Sequence, residues 1–383
     1  MFSTRSEIAQ AANPLTEALA ARRARGAPIL DLTQTNPTLA GFEVLLPSIQ
    51  DALTEGLRGP YLADSLGLPK ARAALVEREE LAAKGHPPDR VLLTASTSEA
   101  YAHLFRLLCD PGAEVLVPQP SYPLLAHLAA YTDVHLTGYP LVFDGRWSID
   151  FAALYDAITP RTRAVVAISP NHPTGQYLRP DTLAALSSLG FPLIVDEVFA
   201  PYGLDAAPPP PPAETEGLVF RLDGLSKRAG LPQLKLAWTF VHGPGAAADE
   251  AMDRLAMIAD TYLSPATPVQ RALPVLLEAT LPRQTRIRER CRRNLAKLRE
   301  RTSGTALSVP PLEGGWVAPV RVPATRSDEA WALALVERGL SVHPGYFYDF
   351  EGDEAWLVVS LLVPEDEFDE GVGRLVAAVV EEA

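Results

Sequence analysis

Two lysines, Lys227 and Lys235, stand in the stretch GLSKRAGLPQLK among glycines, a serine and leucines. A lysine amine can condense with an aldehyde or pair with an anion. Other short stretches hold side chains suited to the same partner. TASTS places Ser96, Thr97 and Ser98 at the start of a helical pattern, where free backbone N–H groups and hydroxyls suit a phosphate. PSYP offers the aromatic face of Tyr122, and PNHPTGQ is a turn, set by two prolines and a glycine, that exposes Asn171 and His172. LIVD ends an apolar run on Asp196. Burying that carboxylate is costly unless a cation meets it, and a cationic ring nitrogen would. An anion site, a ring face, a buried carboxylate and a lysine describe a phosphorylated aromatic cofactor whose aldehyde is held as a Schiff base.

These residues need a frame that brings them together. From residue 90 to about 240, β-branched runs alternate with helical patterns: VLLT, EVLV, AVVAIS, LIVD, LVFRL and LAWTFV, with helices expected near 98–108, 122–131 and 181–188. That alternation predicts an α/β fold with a mostly parallel sheet flanked by helices. Ligands of such sheets sit at the carboxyl ends of the strands, where the candidate residues follow. WVAPVRV, a helix near 328–338, LSVH, WLVVSLL and a closing helix near 366–381 predict a smaller α/β domain. The expected division is an N-terminal arm over 1–46 that joins the small domain, a large cofactor-binding domain over 47–280 and a small domain over 281–383. The run PPPPP (208–212) reads as a stiff surface loop.

Composition narrows the partners. The 383 residues carry a formal net charge of -13, which disfavours nucleic acid and anionic membranes. One basic stretch, Arg283 to Arg301, spaces Ile287, Cys291, Leu295 and Leu298 as an amphipathic helix with a solvated face. The two cysteines, Cys109 and Cys291, sit in apolar helical patterns and suggest neither a disulfide framework nor a metal cluster. With no apolar leader and no membrane-length apolar run, a soluble cytoplasmic protein is expected.

The ordered set YLADSLGLPKAR, TASTSEA, PSYP, NHPTG, VDEVF, SK and PGYF resembles the fold-type I pyridoxal-phosphate enzymes of the class I/II aminotransferase group, over nearly the whole chain. The resemblance implies a role for each residue. Lys227 would be the Schiff-base lysine and the base that moves the substrate proton, and Asp196 would pair with the pyridinium nitrogen. Tyr122 would stack on the ring. Ser96, Thr97, Ser226 and Lys235 would bind the phosphate, with Tyr61 reaching the phosphate of a neighbouring subunit in a homodimer. Lys235 stands where the family usually has an arginine.

The chain also departs from that pattern. His172 replaces an asparagine and Phe199 a tyrosine, both of which usually hydrogen-bond the cofactor's phenolic oxygen. Gly224 replaces a frequent phosphate-binding serine. Val358, two residues before Ser360, replaces the arginine that clamps the substrate carboxylate. Either another cation serves, with Arg321, Arg326 and Arg228 as candidates, or the substrate has no such carboxylate and meets an apolar pocket of Val358, Tyr346, Phe347 and Trp316. The expected function is a pyridoxal-phosphate-dependent aminotransferase with an amino donor and a keto acceptor. The alternatives are a decarboxylase or β-lyase on the same cofactor, and a non-catalytic effector-binding module. Modules of that last kind carry a basic helix-turn-helix extension, for which the residues ahead of NPT leave no room.

Overall fold

The computed structural model describes residues 3, 5, 13–43, 45–81, 85–210 and 215–382. Its centre is an eight-stranded sheet in the order Val91–Thr94, Ala237–His242, Val219–Gly224, Leu193–Asp196, Thr162–Ile168, Glu114–Gln119, His135–Phe143, Trp147–Ile149. The pairs linking Val219–Gly224 through to His135–Phe143 are all parallel. Ala237–His242 runs antiparallel to both of its neighbours, so Val91–Thr94 points the same way as the parallel strands.

Strands packed on both faces need apolar residues on both sides of the pleat, and these runs supply them. Val115, Val166, Ile194 and Phe220 face one layer, with Leu104 and Leu255 of helices Thr97–Leu108 and Gly245–Tyr262. Leu116, Val165, Val195 and Val219 face the other, with Leu154 and Leu186. The strand His135–Phe143 escaped the sequence reading. It lies towards the sheet edge, is mostly half-buried or exposed, and carries Gly138 and Pro140, which dilute the β signal.

A second cluster holds a small antiparallel sheet, Val317–Val322 beside Ala355–Ser360 beside His343–Pro344. Helices Leu281–Thr302, Asp328–Glu337 and Glu365–Glu382 pack around buried Trp316, Trp331 and Phe368. LSVH, expected as one strand, is two short ones: Leu340–Ser341 pairs with Leu30–Asp31 of the N-terminal arm, and His343–Pro344 with Leu357 and Val358. The arm is further fixed by Ser360, whose N–H donates to the Leu32 carbonyl at 2.7 Å and whose hydroxyl donates to the Gln34 carbonyl at 2.6 Å.

The basic helix buries Ile287, Cys291, Leu295 and Leu298 as expected and turns Arg293 and Arg301 outward to pair with Glu365 and Asp369, but Arg283 is buried and donates to the Gly230 carbonyl, so its basic face is only partly solvated. Cys291 is buried, Cys109 is half-buried, and both are free thiols. Among the described residues no helix is long and apolar enough to cross a membrane. Of the proline run, Pro211 and Pro212 lie outside the described residues.

Candidate active site

The carboxyl ends of the strands open into a cavity of about 320 Å³. Val91–Thr94 leads through Ala95 to Ser96, the N-cap of helix Thr97–Leu108. The Ser96 hydroxyl oxygen accepts from the Glu99 N–H at 3.1 Å, and the Glu99 carboxylate accepts from the Ala95 N–H at 2.6 Å. This reciprocal cap leaves the Ser96 hydroxyl proton and the helix's first N–H groups available beside Thr97 and Ser98, which also line the cavity.

Asp196 ends its strand with one oxygen accepting from the Tyr101 hydroxyl and the other from the Val198 N–H, each at 3.2 Å. Burial outweighs those two bonds and pushes its pKa up to about 6, so the site favours a cationic partner for the ionised form. Tyr101 was missed by the sequence reading because a tyrosine inside a helix ordinarily signals core. It is buried, and its hydroxyl alone reaches into polar company.

Lys227 sits in the four-residue helix Leu225–Arg228, its Nζ 6.0 Å from the centre of the Phe199 ring. Burial lowers its pKa; Asp196 opposes that shift and Lys235 adds to it. Ser226 and Lys235 line the cavity with it. Lys235 corrects one expectation, because it arrives from the amino end of the antiparallel strand Ala237–His242 rather than from a carboxyl end. Its backbone is left-handed, with φ 50°. The absence of a serine at 224 has a steric cause: a Cβ on Gly224 would stand 2.9 Å from the Ala237 Cβ and 3.1 Å from the Leu236 carbonyl.

The turn PNHPTG is not exposed as expected. Asn171 is buried and spends its amide on the Pro120 carbonyl and the Thr174 hydroxyl, at 3.2 and 2.7 Å, outside the cavity lining. His172 is half-buried and does line the cavity. Its ring stacks on Phe199, and the rings of Tyr122 and Tyr348 cross it steeply, with centres 5.7 and 5.4 Å away. Burial first, then the nearby Lys227 and His343 charges, push its pKa down to about 3, so the imidazole is neutral. Tyr122 itself lines the cavity and stays 45% exposed, open to a ring laid against it.

Other expected residues fall elsewhere. Tyr61 is 63% exposed and does not line the cavity of its own chain. Arg321 pairs with Glu354, Arg326 with Glu382, and Arg228 with Asp223 and Glu79, and none of the three lines the cavity. Trp316 is core, wedged against Phe199 and Tyr202. Tyr346 is exposed and donates to Glu329, while Val358 packs with Val317, Tyr348 and Phe347. Thr35, from the arm, lines the cavity with no warning in the sequence.

The residues present fit a phosphorylated pyridine aldehyde. A capped helix N-terminus with Ser96, Thr97, Ser226 and Lys235 suits a dianion. Asp196 suits a ring N–H, the Tyr122 ring suits a stacked face, and Lys227 suits the aldehyde.

Comparisons with known proteins point the same way. The family described as "Aminotransferase class I and II" matches residues 28–375. An alanine aminotransferase of Mycobacterium tuberculosis is 33% identical over 282 residues, which make up 69% of this chain and 63% of that protein. Nicotianamine aminotransferase A of Hordeum vulgare is 31% identical over 271 residues, 66% of this chain and 58% of that protein. The chain thus spans about three fifths of the length of these curated relatives. A solved structure of an alanine aminotransferase from Pyrococcus furiosus superposes with a TM-score of 0.90 over 100% of both chains, at 23% identity, a likeness of fold.

Proposed function

The chain belongs to the class I and II aminotransferases, whose members use pyridoxal 5′-phosphate, and on that premise we propose that it is itself a pyridoxal-phosphate-dependent aminotransferase holding the cofactor on Lys227. One observation carries the reading: the Lys227 amine and the Asp196 carboxylate line the same cavity as a capped helix N-terminus and Lys235.

When bound, the cofactor supplies a protonated ring that withdraws electrons from the substrate carbon next to nitrogen and makes its proton acidic. Asp196 would keep that ring proton in place, since a half-buried carboxylate with two neutral donors gains from a cation. Lys227, eased towards its neutral form by burial, takes the proton from carbon and returns it. Ser96, Thr97, Ser226 and Lys235 hold the phosphate, and Tyr122 covers one ring face. His172 and Phe199 flank the phenolic edge without a phenol donor.

A homodimer, with Tyr61 serving the partner's phosphate, belongs to this reading. Support comes from Leu57, Tyr61 and Leu62, which are 71%, 63% and 60% exposed on neighbouring positions of one chain. A cytoplasmic setting, small-molecule donor and acceptor, and division near residues 46 and 280 complete the proposal.

The test is direct. Cofactor-loaded protein treated with borohydride carries the label on Lys227, and Lys227→Ala carries none while melting like the wild type. Among amino donors, transamination leaves a stable pyridoxamine form, whereas decarboxylation or β-elimination restores the starting spectrum. Label on Lys235 instead would sink the assignment.

A further inference from the structure

The cavity holds too little positive charge for the substrate class that the relatives' names suggest. Among the described residues lining it, the cations are Lys227 and Lys235. In the proposed function one carries the cofactor aldehyde and the other its phosphate. His172 is neutral, and the nearest small-domain histidine, His343, is lowered by burial and shares its Nδ1 with the Tyr348 hydroxyl at 2.8 Å.

Behind His172, outside the cavity lining, the packing among the described residues brings no cation towards it. The Tyr348 ring crosses that of His172 and packs against Val358, which is 1% exposed. Thr35 lines the cavity next to Gln34, whose carbonyl accepts from the Ser360 hydroxyl, so the arm lies along the strand that carries Val358. Of the side chains that line the cavity away from Lys227 and Lys235, Thr35 and His172 are neutral hydrogen-bonding groups, and Val358 behind them supplies no charge. A carboxylate placed beside them loses its water and meets no free cation among this chain's described lining residues. An alcohol loses less and finds partners that match its charge.

We infer that the amino donor carries no carboxylate on the carbon bearing its nitrogen, and that it is an amino alcohol. This rests on the aminotransferase reading and specifies the substrate of the same site.

L-Alanine and L-alaninol differ only in the group at issue, carboxylate against hydroxymethyl, and so make the test. First, borohydride labelling of Lys227 establishes the loaded site; its failure overturns the aminotransferase reading and this inference with it. With the label in place, single-turnover conversion to the pyridoxamine form is followed for both amines. L-Alaninol is expected to half-saturate at a concentration lower by about tenfold or more, the scale of leaving a charged group unpaired. Propionate, titrated against the cofactor's absorbance with no turnover, is expected to leave the wild-type spectrum unchanged and to perturb that of Val358→Arg. The wild-type comparison stands even where Val358→Arg fails to fold. Saturation by L-alanine at or below the L-alaninol concentration, or a propionate-induced change in the wild type, overturns the inference while leaving the aminotransferase reading intact.

Discussion

His172 and Phe199 lie stacked, their ring centres 5.4 Å apart and their planes within 12°. On the proposed function the pair would border the cofactor's phenolic edge, with a hydrocarbon ring where the family's tyrosine donates.

A donor to the phenolic oxygen favours the form with the fuller negative charge, which is the one left after the imine proton departs. Phe199→Tyr is therefore expected to lower the midpoint of the coupled imine–phenolate titration, read by absorbance across pH. An unmoved midpoint would show that position 199 does not face the cofactor.

Asp196 gives the cofactor-free protein a pH signature. Its folded pKa of about 6 lies above the unfolded reference of 3.8, so between the two values the native state binds more protons. Stability is then greatest on the acid side of that window and falls as pH rises through it, by up to about 3 kcal/mol from this group. Subtracting the melting curve of Asp196→Asn from that of the wild type isolates the slope. Loading the cofactor, whose ring proton pairs with the carboxylate, is expected to abolish it.

Tyr101→Phe removes one of the two donors to Asp196 without changing the buried volume. Ionising the carboxylate becomes harder, and cofactor dissociation is expected to strengthen by about three- to tenfold, the worth of one such bond. Equilibrium dialysis reads the change. An unchanged constant would mean that the hydroxyl merely fills space.

In the proposed homodimer Tyr61 would tie cofactor binding to assembly. The protein is expected to scatter light as a dimer, and Tyr61→Phe, which keeps the ring and loses the hydroxyl, to hold the cofactor about tenfold more weakly while remaining a dimer. Full activity in a monomer at assay concentration would contradict the shared site.

The parts of the molecule that were legible in the sequence are those with local signals. Val91–Thr94 and Leu193–Asp196 are continuous apolar runs with polar residues following at once, and the structure begins and ends them as read. Lys227, Asp196, Ser96 and Tyr122 follow strand ends, and the topology alone brings them to one cavity. Tyr101 and Thr35 were not legible, because a helical tyrosine and an arm threonine acquire a role only through contacts across the fold. The same limit explains Arg321 and Arg228. Sequence supplies the guanidinium, but Glu354, Asp223 and Glu79, which engage it, are fixed by tertiary packing.

The bond from Ser360 to the Gln34 carbonyl joins residues 326 positions apart. That junction anchors the residue before Thr35, so this part of the cavity wall gains the anchor only once the strand Ala355–Ser360 has left the ribosome. The central sheet's strands, all earlier in the sequence, have then long since emerged. The phosphate cradle, built from the helix that follows Val91–Thr94 and from Lys235, can form well before that moment. On the proposed function, synthesis therefore supplies the residues that would grip the cofactor before the strand that anchors the arm beside the substrate.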